Sequence, residues 1–175
     1  MRELVYSVAA SLDGFIAGPK GDYDWIVRDP TIDFGEIFRL FDTVVMGRRC
    51  YEFMIREGRS PKEFGMKIFV ASTTLKPEQH RDVTVLGSNL FAAVAEMRHG
   101  SGKDIWLFGG ATIFRSLLDA NLVDRVDVSV IPVLLGSGTP LLPEGRRRTL
   151  QFRDSRTFPS GIVSLTYRVG REPAV

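Results

Sequence analysis

Twice in this sequence a short apolar run ends on glycine and passes without a linker into a segment of helical spacing, at VVMGRRCYEF (44–53) and IWLFGGATIF (105–114). Apolar runs this short, bounded by turn residues, read as buried strands, and a strand that feeds a helix directly is the building unit of a parallel sheet. The same alternation fills the first two thirds of the chain. Residues 4–10 form a buried strand that ends in a long loop carrying Gly14, Gly18, Pro19 and Gly21. Asp33, with Glu36 in the capping-box position, opens a helix whose apolar face is Ile37, Phe38 and Phe41. Strands over 43–46, 67–71, 83–86 and 105–108 alternate with helices over 48–54, 89–98 and 112–120. The fold class that follows is α/β, with a mostly parallel central sheet covered by helices on both faces. The last third changes period. Val126, Val128 and Val130 alternate with polar residues, as do Val163, Leu165, Tyr167 and Val169. Turn residues at 136–138 and 159–161 separate them, so an antiparallel C-terminal hairpin makes the sheet mixed.

With 175 residues the chain fits one domain over 1–175, large enough to bury a core without staples. The formal charge of +2 gives no reason to expect a nucleic-acid partner, and Arg146-Arg147-Arg148, after a Pro-Glu-Gly turn, reads as a solvated loop. Cys50 is the one cysteine, and the histidines are His80 and His99, so neither a disulfide nor a thiolate zinc site is expected, and no metal is assigned. No stretch approaches the roughly 20 apolar residues of a membrane span. A cytoplasmic protein with no membrane partner is the expectation.

The two strand-to-helix junctions are the places where chemistry can gather. Gly109 and Gly110 let a ligand approach the backbone, and the free N–H groups of a helix start attract phosphate. A tight turn with no ligand fits the same glycines. Arg48 and Arg49 oppose the dipole of the helix they open, a placement that a bound phosphate would make favourable. Solvated surface arginines are the other reading. Ser72 and Thr73, after the 67–71 strand, either bind the same phosphate or close a turn.

Taken together, the pieces SLDGFIAG (11–18), Trp25, DTVVMGRRCYEF (42–53), IFVAST (68–73), IWLFGGATIF (105–114) and DRVDVSVIPVLLGSGTPLLP (124–143) resemble the RibD C-terminal (riboflavin-biosynthesis reductase) family of the dihydrofolate-reductase-like superfamily. The resemblance implies a three-layer fold and an NADPH-dependent reductase acting on a small nitrogen heterocycle. It implies Gly47 and Arg48 at the cofactor phosphates, with Arg49, Ser72 and Thr73 near the 2′-phosphate. Gly109, Gly110, Ala111, Thr112 and Ile113 would cradle the pyrophosphate, and Ile16 and Ala17 would line the nicotinamide. Asp33 and Asp13 are the candidate catalytic acids, and Trp25, Asp33 and Phe38 the candidate substrate contacts; a helix cap and a strand-end turn are the alternatives for the two acids. In riboflavin-pathway reductases a Glu usually precedes the glycine pair and an Arg usually stands at the Phe38 position; this chain has Phe108 and Phe38. The substrate therefore stays open between the riboflavin-pathway 5-amino-6-(5-phosphoribosylamino)uracil and a pterin of the dihydrofolate reductase type. A nucleotide- or flavin-binding protein without turnover is the non-enzymatic alternative. The resemblance also suggests a homodimer.

Overall fold

In the computed structural model, which describes residues 1–170, ten strands and four helices follow the expected alternation. They are β1 (Leu4–Ser11), β2 (Phe15–Ala17), α1 (Phe34–Phe38), β3 (Phe41–Gly47), α2 (Arg48–Arg56), β4 (Lys67–Ala71), β5 (Thr84–Leu86), α3 (Leu90–His99), β6 (Asp104–Gly109), α4 (Ala111–Asp119), β7 (Arg125–Ile131), β8 (Thr139–Pro140), β9 (Leu150–Thr157) and β10 (Val163–Val169). Eight strands form one sheet in the order β5-β4-β3-β6-β1-β7-β10-β9. The neighbours from β5 to β7 run parallel; β10 is antiparallel to β7 and to β9. β2 and β8 pair separately.

Strand periodicity sorts the core into two layers, because successive side chains point to opposite faces. On one face Val45, Ile105, Leu107, Tyr6 and Val126 pack with Val94 of α3 and with Phe114, Leu117 and Leu118 of α4. On the other, Val44, Met46, Trp106, Ile68 and Val70 pack with Tyr51 and Met54 of α2, with Ile37 of α1 beside them. Each fully buried aliphatic or aromatic side chain contributes about 1.5–3 kcal/mol, so either layer alone would leave half the sheet in water.

Three features depart from the expectations. β9 emerges as an edge strand whose eight residues are all exposed. β2 and β8 turn the loop after β1 into part of a small ladder. Arg148 is not a loosely solvated residue: its guanidinium donates to Asn121 Oδ1 and to the backbone oxygens of Leu118 and Asp119 at the end of α4. Arg115 of α4 returns the contact by donating to the Arg146 backbone oxygen. No helix among the described residues is long and apolar enough to cross a membrane.

Candidate functional site

β3 and β6 are neighbours, yet the chain leaves them toward opposite faces: α2 packs with Met46 and Trp106, α4 with Val45 and Leu107. In an open parallel sheet, strands whose connections diverge in this way leave a crevice at their carboxyl ends. Gly47 and the Gly109-Gly110 pair stand at that crevice. A methyl group at Gly47 would lie 3.7 Å from the Gly109 backbone oxygen, 3.8 Å from the Gly110 nitrogen and 3.7 Å from Ile113 Cγ2. The two junctions singled out in the sequence therefore meet. The Gly109–Gly110 peptide is cis, and Gly109 has φ +137°, a conformation that L side chains rarely adopt.

Both helices that open on this crevice lack a side-chain cap. α2 starts from Gly47 and α4 from Gly110, and neither receives a side-chain hydrogen bond, so their first-turn N–H groups, including those of Ala111, Thr112 and Ile113, retain capacity for an anion. Arg48 and Arg49 on the first turn of α2 are exposed; Arg48 reaches Glu52 one turn on at 3.5 Å, in an ion pair whose partners are both about half exposed. Such a pair is worth little and yields readily to a better anion. The register Gly47↔Ala71 brings Ser72 and Thr73 to the same edge, one strand away. The Ser72 hydroxyl already accepts from the N–H groups of Thr74 and Leu75, so it closes a turn and keeps only its proton to offer, whereas Thr73 is exposed.

Cys50, three positions after Gly47, packs its sulfur 3.6 Å and 3.4 Å from where methyl groups on Gly109 and Gly110 would stand. Burial pushes its thiol up to about 11, so it is a packing group rather than a nucleophile. On the α1 and α2 face, Phe108 meets Trp106 edge to face at 5.1 Å, and Trp106 packs on Phe38 at 5.3 Å, giving an aromatic wall that runs from the glycine pair to α1. Phe38 thus joins the crevice through Trp106. The sequence pointed to Phe38 and to Phe108 at the glycine pair; the Trp106 between them was readable only from its parity with Phe108 on β6.

The two candidate acids sit differently. Asp33 caps α1, accepting from the Glu36 N–H at 3.1 Å, and is exposed at the N-terminal end of the helix that carries Phe38 at its other end. Asp13 accepts from Ser11 Oγ at 2.6 Å, from the Leu135 N–H at 3.1 Å and from the Gly136 N–H at 2.7 Å. These bonds, the one from Ser11 foremost, hold its carboxyl down at about 2. Asp13 is thereby tied into the crossing of two loops. Ile16 packs against the apolar cluster that includes Ile113, and Ala17 pairs with Thr139. The Trp25 indole N–H donates to the Asp22 backbone oxygen, within its own loop.

The chain belongs to the RibD C-terminal domain family, which it matches over residues 2–164. It is 33% identical over 178 residues to the uncharacterized protein YyaP of Bacillus subtilis (strain 168), covering 95% of this chain and 94% of that one. A solved structure from Shewanella sp. PV-4, assigned to riboflavin biosynthesis, is 26% identical with a TM-score of 0.82, covering 98% of this chain and 100% of the other. Dihydrofolate reductase from Enterococcus faecalis, complexed with NADP(H), superposes with a TM-score of 0.65 at 19% identity, covering 97% of each chain. The fold is dihydrofolate-reductase-like.

Proposed function

We propose that this protein is an NADPH-dependent reductase that transfers hydride to a small, flat nitrogen heterocycle. The observation that carries the reading is the contact between Gly47 and the Gly109-Gly110 pair at the crevice where two uncapped helices begin. Family membership and the NADP(H) bound to the Enterococcus faecalis enzyme support it. The residues present fit such a cofactor: glycines leave room for its backbone approach, free N–H groups suit its pyrophosphate, and Arg48 and Arg49, with Ser72 and Thr73 beside them, suit a 2′-phosphate. NADPH, when bound, supplies the hydride.

The chain then has three tasks. Ala111, Thr112 and Ile113 offer backbone donors to phosphate oxygens, fixing the cofactor's register along the strand ends. Phe38 and Phe108, backed by the buried Trp106, present apolar rings against which a planar acceptor packs out of water. Asp33, at the exposed end of α1, orients the heterocycle by accepting from its N–H groups and relays a proton to the ring nitrogen from solvent. Asp13 takes no part in proton transfer. Trp25, in the loop after β2, is assigned the substrate side on the family resemblance.

The acceptor is the riboflavin-pathway aminopyrimidine or a pterin, and the protein acts in the cytoplasm as a homodimer. The exposed edge of β9, carrying Leu150 and Phe152 in the open, supports self-association. The deciding experiment follows NADPH oxidation with 5-amino-6-(5-phosphoribosylamino)uracil and with dihydrofolate side by side. Turnover of either supports the reading; NADPH binding without turnover of any flat heterocycle would make the protein a nucleotide binder instead. Light scattering checks the dimer.

A further inference from the structure

Two loops leave the carboxyl edge of the sheet at β1 and β7, and they are joined to each other by backbone hydrogen bonds at several points. The Leu12 N–H donates to the Val133 backbone oxygen at 2.9 Å, and the Leu141 N–H to that of Gly14 at 2.8 Å. Phe15 and Ala17 pair with Pro140 and Thr139. A methyl group at Gly138, where φ is +149°, would stand 2.1 Å from the Ala17 backbone oxygen, so the two backbones cross in contact. At the outer end of this crossing apolar burial contributes little, since Leu12 is 65% and Leu134 69% exposed. What holds that end is the Asp13 carboxylate, with one oxygen on Ser11 and Leu135 and the other on Gly136. Ser11 in turn accepts from the Phe15 N–H at 2.9 Å, so the clamp reaches the start of β2. At the inner end Ile16, Leu141 and Leu142 all pack on the cluster that contains Ile113, the α4 residue that touches Gly47.

We infer that Asp13 is a positioning residue, a latch that makes residues 12–18 and 133–142 move as one body and so holds Ile16 and Ala17 in place beside the glycine junctions. The latch itself needs only the contacts above; its effect on dinucleotide binding rests on the function proposed for the crevice. A segment held by few apolar contacts opens locally at a rate set by its hydrogen bonds, so removing a charged acceptor of two backbone N–H groups loosens both loops together.

The test uses the full chain. Amide exchange is measured without added ligand for the wild type, Asp13→Ala, Asp13→Asn, Gly138→Ala and the Asp13→Ala/Gly138→Ala pair. Asp13→Ala speeds exchange in both 12–18 and 133–142 by about tenfold or more, the scale of one lost charge-assisted hydrogen bond, while β3 and β6 keep their protection. Asp13→Asn, which keeps one acceptor oxygen, recovers part of the difference. Gly138→Ala opens the same two segments, and the double variant adds little, because both changes release one element. NADPH affinity falls by a similar factor, and the melting temperature at neutral pH falls by a few degrees because the clamp also stabilises the fold, so the exchange pattern and not the melt identifies the latch. Acceleration confined to residues 11–14, or additive effects of Asp13→Ala and Gly138→Ala, overturns the latch. Should Asp13→Ala fail to fold, Asp13→Asn and Gly138→Ala carry the same comparison. A wild type that binds no dinucleotide defeats the proposed function instead, and the exchange pattern still decides the latch.

Discussion

Replacing Gly47 with alanine separates a cradle for a ligand from a tight turn. The added methyl meets the Gly109 oxygen, the Gly110 nitrogen and Ile113 Cγ2 at 3.7–3.8 Å, ordinary contact distances that no side chain has to yield to. Gly47 has φ −79°, which alanine adopts without strain. Two small backbone effects oppose each other: alanine is the poorer N-cap, by up to about 1 kcal/mol, and stiffening the unfolded chain returns about 0.4–1 kcal/mol. The net change stays within about 1 kcal/mol, which moves the melting temperature of a chain this size by no more than about 2–4 °C. The ligand meets a different situation, because the methyl occupies the space through which a pyrophosphate would reach the first-turn N–H groups. Losing one charge-assisted hydrogen bond there costs about 1.5–3 kcal/mol, or about a 10- to 150-fold rise in Kd for NADPH. Calorimetric titration alongside a thermal melt reads both quantities. Unchanged affinity at unchanged stability would refute the cradle, and a large fall in melting temperature would refute the packing argument.

Other consequences follow from the same geometry. Arg49→Ala is expected to weaken NADPH binding by about 1.5–3 kcal/mol and NADH binding far less, since that charge is the one assigned to the 2′-phosphate; equal losses in parallel titrations would return Arg49 to a surface role. Arg98→Met is expected to destabilise the fold by about 3–5 kcal/mol in denaturant unfolding. It leaves the Asp124 carboxylate, which Arg98 meets at 2.5 Å in a pair whose side chains are 9% and 14% exposed, with the Leu4 N–H still donating to it but without the guanidinium that balances its charge. Asp13 is held at about 2, and hydrogen bonds from Ser160 and Thr31 hold Asp29 well below the usual carboxylate range. A depressed folded-state value stabilises above the unfolded value near ~3.9 and is lost as pH falls toward the folded one, so melting temperature should drop between about pH 4 and 2. Asp13→Asn should flatten that slope, and a profile identical to wild type would count against the clamp.

What the sequence disclosed was local. The junctions at Gly47 and Gly109-Gly110 are written in consecutive residues, because a buried strand, a glycine and a helix start each leave a mark within a few positions. That the junctions touch is a matter of strand order: β6 inserts between β1 and β3 although it follows both by some sixty residues or more, and no periodicity reports that. Asp13 reads from the sequence as a candidate acid, and its hydrogen bonds to Leu135 and Gly136, more than a hundred positions away, are of a kind that the sequence does not reveal. β9 escaped because LQFRDSRT is an edge strand exposed on both faces, whose apolar alternation stops after Leu150 and Phe152. The Arg146-Arg147-Arg148 run misled for a related reason. A charge run is usually solvated, and only the end of α4 explains why Arg148 is held.

The claim on which the rest depends is that one dinucleotide spans the ends of β3 and β6. Amide chemical shifts of the full chain, followed during an NADPH titration, test it most directly. The account predicts the largest perturbations at Gly47, Arg48, Gly109, Gly110 and Thr112, with a smaller response in residues 14–18. Perturbations absent there and gathered at the opposite edge of the sheet, around Asn121, Arg153 and Arg168, would contradict it.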